Sequence, residues 1–290
     1  MNCNICPKNC NINRENNTGF CKETNTLKIA RAALHHFEEP VISGEKGSGA
    51  VFFCGCNLRC IYCQNYDISN TINNGTSVSK EELPNIFNNL IEKGAHNINL
   101  VTPTHYSGIL SEVLEQKFAV PIVWNSSGYE KKETLKTLNN KVQVYLPDFK
   151  YADNNLAKTL SFADDYFDVF KKALDEMVCQ TGKPIIENGL IKSGVVVRHL
   201  VLPGFLDNTK RVIDYISENY KDDVLFSLMF QYLPIKELDI ESLNRRVKRS
   251  EYNEILDYLY KKGIEEGFVQ SLSSASKKYI PKFNLEGLNR

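Results

Sequence analysis

From Ala50 onward the chain alternates short apolar runs with stretches of helical periodicity. The runs are Ala50–Phe53, Ile98–Thr102, Pro121–Asn125, Val142–Pro147, Val195–Leu202 and Leu225–Gln231. They are rich in Val, Ile, Leu and Phe and lack strict polar alternation. That is the pattern of parallel strands covered by helices on both faces. Helices are predicted over Ser79–Gly94, where Ser79-x-x-Glu82 reads as a capping box, and over Ile109–Lys117, Lys131–Leu138, Asp164–Gln180, Thr209–Tyr220 and Arg249–Gly263. Repeated βα units imply a parallel sheet with right-handed crossovers.

The predicted fold class is therefore α/β. Six units, with a seventh strand candidate at Phe268–Leu272, fit a partial (β/α)6 TIM-like barrel of parallel strands and do not supply a full eight-fold barrel. A doubly wound open sheet is the alternative, and periodicity does not separate the two. Residues 1–49 read as a separate cysteine-rich N-terminal extension, closed by Gly44, Gly47 and Gly49, and residues 50–290 as the barrel.

The 290 residues are 42% apolar, enough for a full core, and carry 35 basic and 35 acidic residues. No basic face or tail marks a nucleic-acid binder. No apolar run approaches the roughly 20 residues that span a bilayer, and the polar N-terminus lacks a signal-peptide pattern. The expectation is a cytoplasmic protein that binds neither nucleic acid nor membrane. Eight of the nine cysteines lie within the first 63 residues. In a reducing compartment such clustering points to metal and not to disulfides.

Cys56, Cys60 and Cys63 form C-x3-C-x2-C directly after the first apolar run. In parallel α/β folds, loops at the carboxyl ends of strands build the active site. A structural zinc and a fully protein-held iron–sulfur cubane both want four ligands. Three cysteines leave one iron open. Cys54 is the competing fourth ligand and is left out of the expected set. Cys3, Cys6, Cys10 and Cys21 offer four donors, suited to zinc or to a second [4Fe–4S] cluster, and their spacing does not decide between them. Cys179, alone in a helical stretch, is expected in the core. Glu38-Glu39 and the glycines before the first run are read as structural.

The cysteine triad, with the aromatic Tyr62 before its last member, resembles the radical S-adenosylmethionine (SAM) superfamily. GCNLRCIYCQN is similar in particular to the pyruvate formate-lyase activating enzyme group. NINLVTPTHY, NSSGY, YLPDFKY, VRHLVLPG and MFQYLP resemble a poorly characterised branch of that group. The resemblance covers nearly the whole chain. It implies a [4Fe–4S] cluster on Cys56, Cys60 and Cys63 whose open iron chelates SAM, and reductive cleavage to a 5′-deoxyadenosyl radical that abstracts hydrogen. A flavodoxin or ferredoxin-type electron donor goes with it. The implied reaction is radical transfer to a protein of the glycyl-radical type. Modification of a small molecule or peptide is the alternative, and a non-catalytic metal or redox protein is a third.

The same resemblance assigns SAM contacts to strand ends. Tyr62 is one. Thr102 and Thr104 stand where activating enzymes carry a GGEP-like stretch that this chain lacks. Asn125 opens a short polar loop, and Asp148 and Lys150 match an Asp-x-Lys. Arg198 is favoured over its neighbour His199, because adjacent strand residues face opposite ways. His105 is a candidate for acid–base work, its ordinary pKa lying near neutrality. Gln231 and Tyr232 are expected on the substrate side.

Overall fold

The computed structural model describes residues 2–71, 74–276 and 279–288. Its strands are β1 (Lys28–His35), β2 (Ser48–Phe53), β3 (Thr76–Ser77), β4 (Ile98–Val101), β5 (Ile122–Ser126), β6 (Val144–Pro147), β7 (Ile185–Glu187), β8 (Leu190–Leu200), β9 (Leu225–Met229) and β10 (Gly267–Val269). They join in one sheet ordered β10-β9-β8-β6-β5-β4-β2-β1-β3, with β7 paired to β8. Every pairing from β2–β4 to β9–β10 is parallel. Each apolar run of the sequence became one of these strands, including the seventh candidate, β10.

The strand order decides between the two windings. A doubly wound sheet reverses direction at a switch point. Here the parallel strands from β2 to β10 follow chain order without reversal, as in a TIM-like barrel wound one way. β2, β4, β5 and β6 are buried along their whole length, and Trp124 and Tyr145 sit fully enclosed in the core. This is why these runs show no polar alternation.

β1 was not anticipated. Lys28–His35 lies within the stretch read as an extension, and its alanines favour helix. It nevertheless pairs antiparallel with β2, from Ile29 opposite Phe53 to His35 opposite Ser48. Burial along Ile29–Ala33 and a partner row of β-branched and aromatic residues override the local propensity. On the far side of β1, beyond its short contact with β3, Leu285 N–H donates to Ala30 O (3.1 Å) and Ala32 N–H to Glu286 O (2.9 Å).

Helices cover the sheet near their predicted positions. In the Ser79 box, Glu82 accepts the Ser79 N–H at 2.8 Å. The helix itself starts at Leu83, with Pro84 in its first turn, where a missing N–H costs nothing. Helix Tyr166–Thr181 buries Phe170, Ala173, Leu174 and Met177 on one face. Cys179 falls off that face and is exposed, which corrects the core assignment. Among the described residues no helix is long and apolar enough to cross a membrane.

Helix Asn154–Ser161 was also missed. Asp153 caps it, its carboxylate accepting from Asn155 N (2.8 Å) and Leu156 N (3.2 Å). Asp153→Ala should cost about 1 kcal/mol of stability and Asp153→Asn only a fraction of that, as read from the urea midpoints of anaerobic samples.

Candidate active site

At the carboxyl ends of the parallel strands lies a cleft whose wall includes Cys56, Cys60, Cys63, Asp148, Lys150 and Arg198. The loop after β2 carries the cysteines. It turns at Gly55 (φ +80°), where a Cβ would sit 2.5 Å from Glu23 Cγ and 2.6 Å from Cys21 O, so only glycine fits. Cys56 N–H donates to that Cys21 oxygen at 3.2 Å. Cys60 is buried and the other two thiols are half-buried. Burial pushes the Cys56 thiol up to about 12, with Cys60 and Cys63 adding to the effect. Such a site disfavours bare thiolates and suits them once a cation neutralises them. Polar hydrogens already point at the sulfurs: Leu58 N–H at Cys56 (3.4 Å), Ser161 Oγ–H at Cys60 (2.9 Å) and Ser69 Oγ–H at Cys63 (3.3 Å).

Cys54 is separated from this group. It packs with Ala30, Ala50, Phe52, Ile68 and Val101 and is not among the residues that line the cleft. Its carbonyl accepts from His105 Nε2 at 2.7 Å, and burial and Arg14 lower the His105 pKa to about 3. A buried, neutral ring outside the cleft has no part in proton transfer there.

Arg198 is the centre of the cleft floor. Its Nε donates to Asp148 Oδ1 (2.8 Å), Nη1 to Glu38 Oε2 (2.7 Å) and Nη2 to Asn125 Oδ1 (2.7 Å). Asn99 and Asn125 donate to the other Glu38 oxygen at 3.1 and 3.2 Å. Glu39 accepts from Ser227 at 3.0 Å and lies 3.8 Å from Arg198 Nη1; burial raises its pKa. Lys150 Nζ donates to Asp148 Oδ2 at 2.8 Å. Burial works to raise the Asp148 pKa, but the charges of Arg198 and Lys150 prevail and hold it below its ordinary value.

The expected SAM-contact residues divide. Thr102, Asn125, Asp148, Lys150, Arg198 and Tyr62 all line the cleft. Thr102 adopts a left-handed φ of +61°, unusual for a β-branched residue and the kind of strain that gathers at working sites. Thr104 is not brought there; it is buried and donates to Glu130 at 3.1 Å. His199 faces the helical layer, with both ring nitrogens taken by Phe149 O (2.6 Å) and Thr209 Oγ1 (2.9 Å). Gln231 reaches the cleft, whereas Tyr232 turns away and donates to Leu243 O. The structure adds Glu38, and Ser274, Ser276, Tyr279, Ile280 and Pro281 at the mouth. Two adjacent acids before a proline were the only sequence signal for Glu38, and nothing local marked the mouth residues.

The N-terminal cysteines share a second place. A Cβ on Gly19 would lie 3.4 Å from both Cys10 Sγ and Cys21 Sγ, and Phe20 N–H donates to Cys10 Sγ at 3.2 Å. Burial pushes Cys6 up to about 12, with Cys21, Cys10 and Cys3 contributing repulsion. Asn9, Asn11 and Lys22 take left-handed φ values that fold the segment into tight knuckles. Among the described residues, no three donor side chains are drawn around a common point as a bound metal would draw them.

The profile of the Radical SAM superfamily matches residues 50–216. The chain belongs to the radical SAM superfamily. Membership implies a [4Fe–4S] cluster and SAM. The triad fits that cluster in donor chemistry: three thiols on one wall of one cleft. An uncharacterized protein of Methanocaldococcus jannaschii is 33% identical over 276 residues, 91% of this chain and 76% of its own length. A second from the same organism is 27% identical over 246 residues, 79% and 66% of the two chains. Among solved structures, a radical SAM methyltransferase from Sphaerobacter thermophilus matches with TM-score 0.52 at 14% identity, over 79% of this chain and 69% of that one. SuiB of Streptococcus suis matches with TM-score 0.50 at 14% identity, over 80% and 50%. At that identity the likeness is one of fold.

Arg198→Met should destabilise the protein by roughly 3–5 kcal/mol, because it strands buried carboxylates. The stability Asp148 contributes is complete above its ordinary 3.8 and is lost as pH falls through its depressed value. The gap between wild type and variant in urea titrations should therefore narrow on the acid side.

Proposed function

We propose that this radical SAM enzyme cleaves SAM reductively at a [4Fe–4S] cluster held by Cys56, Cys60 and Cys63, and abstracts hydrogen from a protein backbone. The observation that carries the reading is the gathering of these three cysteines, Asp148, Lys150 and Arg198 on one cleft at the strand ends. A [4Fe–4S] cluster on the three cysteines would supply the one electron that parts the C5′–S bond of SAM into methionine and the 5′-deoxyadenosyl radical. The chain's own residues bind, orient and shield. Lys150, fixed by Asp148, offers a positive point charge to the SAM carboxylate. Thr102, in the place of an acidic stretch, offers its hydroxyl to the SAM amino group. Asn125 is committed to Glu38 and Arg198, so its part is to hold the floor on which the ribose rests. Three of the five Arg198 N–H donors go to Asp148, Glu38 and Asn125. Arg198 acts as a positioning residue for Asp148 and, through it, Lys150. Tyr62 packs against the loop and shields it.

A polypeptide substrate of the glycyl-radical type, the activating-enzyme-like reading, is supported by the cleft mouth. Ser274, Ser276, Tyr279, Ile280 and Pro281 line it, hydroxyls beside apolar groups that suit the polar main chain and apolar side chains of a polypeptide. A flavodoxin or ferredoxin-type protein supplies the electron, in a cytoplasmic setting that suits nine free thiols.

Anaerobic, dithionite-reduced protein should release 5′-deoxyadenosine from SAM, detected by chromatography. Replacing Cys56, Cys60 or Cys63 with Ala should abolish it. A wild-type protein with its cluster and no 5′-deoxyadenosine would count against the enzyme reading.

Cys3, Cys6, Cys10 and Cys21 form a second, saturated site for zinc or a [4Fe–4S] cluster, in the N-terminal segment that we treat as a metal-binding unit. Its supports are the shared neighbourhood of the four sulfurs and the N–H aimed at Cys10. Serine at any of the four should lower the metal content, by one zinc or about four irons. The signal of the SAM-dependent cluster should persist. Elemental analysis with an unchanged total would remove the second site.

A further inference from the structure

The end of helix Asn154–Ser161 touches the cysteine loop at two adjacent points. Ile61 N–H donates to Leu160 O at 2.9 Å, and Ser161 Oγ–H donates to Cys60 Sγ at 2.9 Å. Phe162, in the left-handed region at φ +55°, stops the helix there. Behind Ser161 the hydroxyls continue. Tyr151 Oη is 2.5 Å from Ser161 Oγ, and Tyr62 Oη is 2.7 Å from Tyr151 Oη. Ser161 and Tyr151 are fully buried and Tyr62 nearly so, so water does not compete for these bonds.

A thiolate sulfur only accepts. With Cys60 ionised, the single Ser161 hydrogen must point at the sulfur. Ser161 then accepts from Tyr151, and Tyr151 from Tyr62. All three protons lie in one direction, each bond polarising the next. The Cys56 sulfur is met by Leu58 N–H at 3.4 Å and by the Arg59 backbone, and the Cys63 sulfur by Ser69 at 3.3 Å and by the Asn65 backbone, against 2.9 Å for Ser161 on Cys60.

We propose that Ser161 is a positioning residue that holds the Cys60 thiolate, and that the Tyr62–Tyr151–Ser161 chain raises the reduction potential of the cluster on that thiolate. The inference rests on Cys56, Cys60 and Cys63 being the cluster ligands. Hydrogen bonds to ligand sulfur favour the reduced cluster, which carries more negative charge. The chain thereby eases the electron uptake that must precede SAM cleavage.

The test is a redox titration of the reconstituted full-length protein, followed by electron paramagnetic resonance of the reduced cluster, with iron content measured in parallel. Ser161→Ala should lower the reduced-to-oxidised ratio at fixed potential by about tenfold, or about 59 mV for one electron. Ser161→Thr should restore the wild-type value. Tyr151→Phe keeps the Ser161–Cys60 bond and should shift the potential in the same direction by less. A Ser161→Ala protein with full iron and wild-type potential overturns the proposal. If Ser161→Ala loses its iron, Tyr151→Phe decides: a negative shift supports the chain and an unchanged potential overturns it. A wild-type protein that takes up no cluster overturns the ligand assignment as well, whereas a wild-type cluster with unshifted variants overturns this inference alone.

Discussion

One guanidinium holds the cleft floor together. Arg198 on β8 reaches Asp148 after β6, Asn125 on β5 and Glu38 before β2. Its three bonds therefore cross the parallel sheet at the level where the strand-end loops begin. A buried ionic group is weak evidence of stability by itself, because desolvation offsets much of the Coulomb gain. Its value here is geometric. Each carboxylate oxygen and amide it engages is fixed relative to the others, and Lys150 inherits its position through Asp148. The cysteine loop is then arranged over a rigid floor.

Much of this was legible in the sequence where the cause is local. Ala50–Phe53 and Val142–Pro147 read as buried parallel strands because burial on both faces removes polar residues from the run itself. Cys56, Cys60 and Cys63 were visible because one loop carries all three. Arg198 could be chosen over His199 because strand residues alternate. The rest depends on partners distant in sequence. Lys28–His35 is a strand because β2 lies beside it, not because its alanines favour one. Glu38 matters because Arg198, 160 residues on, needs an acceptor. Thr104 opens the short 3₁₀ turn Thr104–Tyr106 just after β4, yet Glu130 and not the cleft claims its hydroxyl. Ser161 lies 101 residues from Cys60, and no spacing rule joins them.

The two cysteine loops are neighbours at the level of single atoms. Cys21 O receives the Cys56 N–H, and Gly55 has no room for a side chain because that same carbonyl lies against it. Arg14 adds a second tie, donating to His105 O at 2.6 Å from within the N-terminal segment. The segment is thus part of the wall behind the cysteine loop, and its shape constrains where Cys56 stands.

On the side of β1 that faces away from β2, next to the short pairing with β3, Ala30 O and Ala32 N–H are satisfied by Leu285 and Glu286, far along the sequence. An unpaired strand border is an adhesive surface that recruits other chains. Colloidal behaviour and catalytic architecture therefore meet in one short stretch: Phe283, which packs on Phe52, and Leu285 and Glu286, which zip the border shut. Clipping by a protease ahead of this stretch would leave the parallel strands intact yet uncover part of that border as a template for self-association.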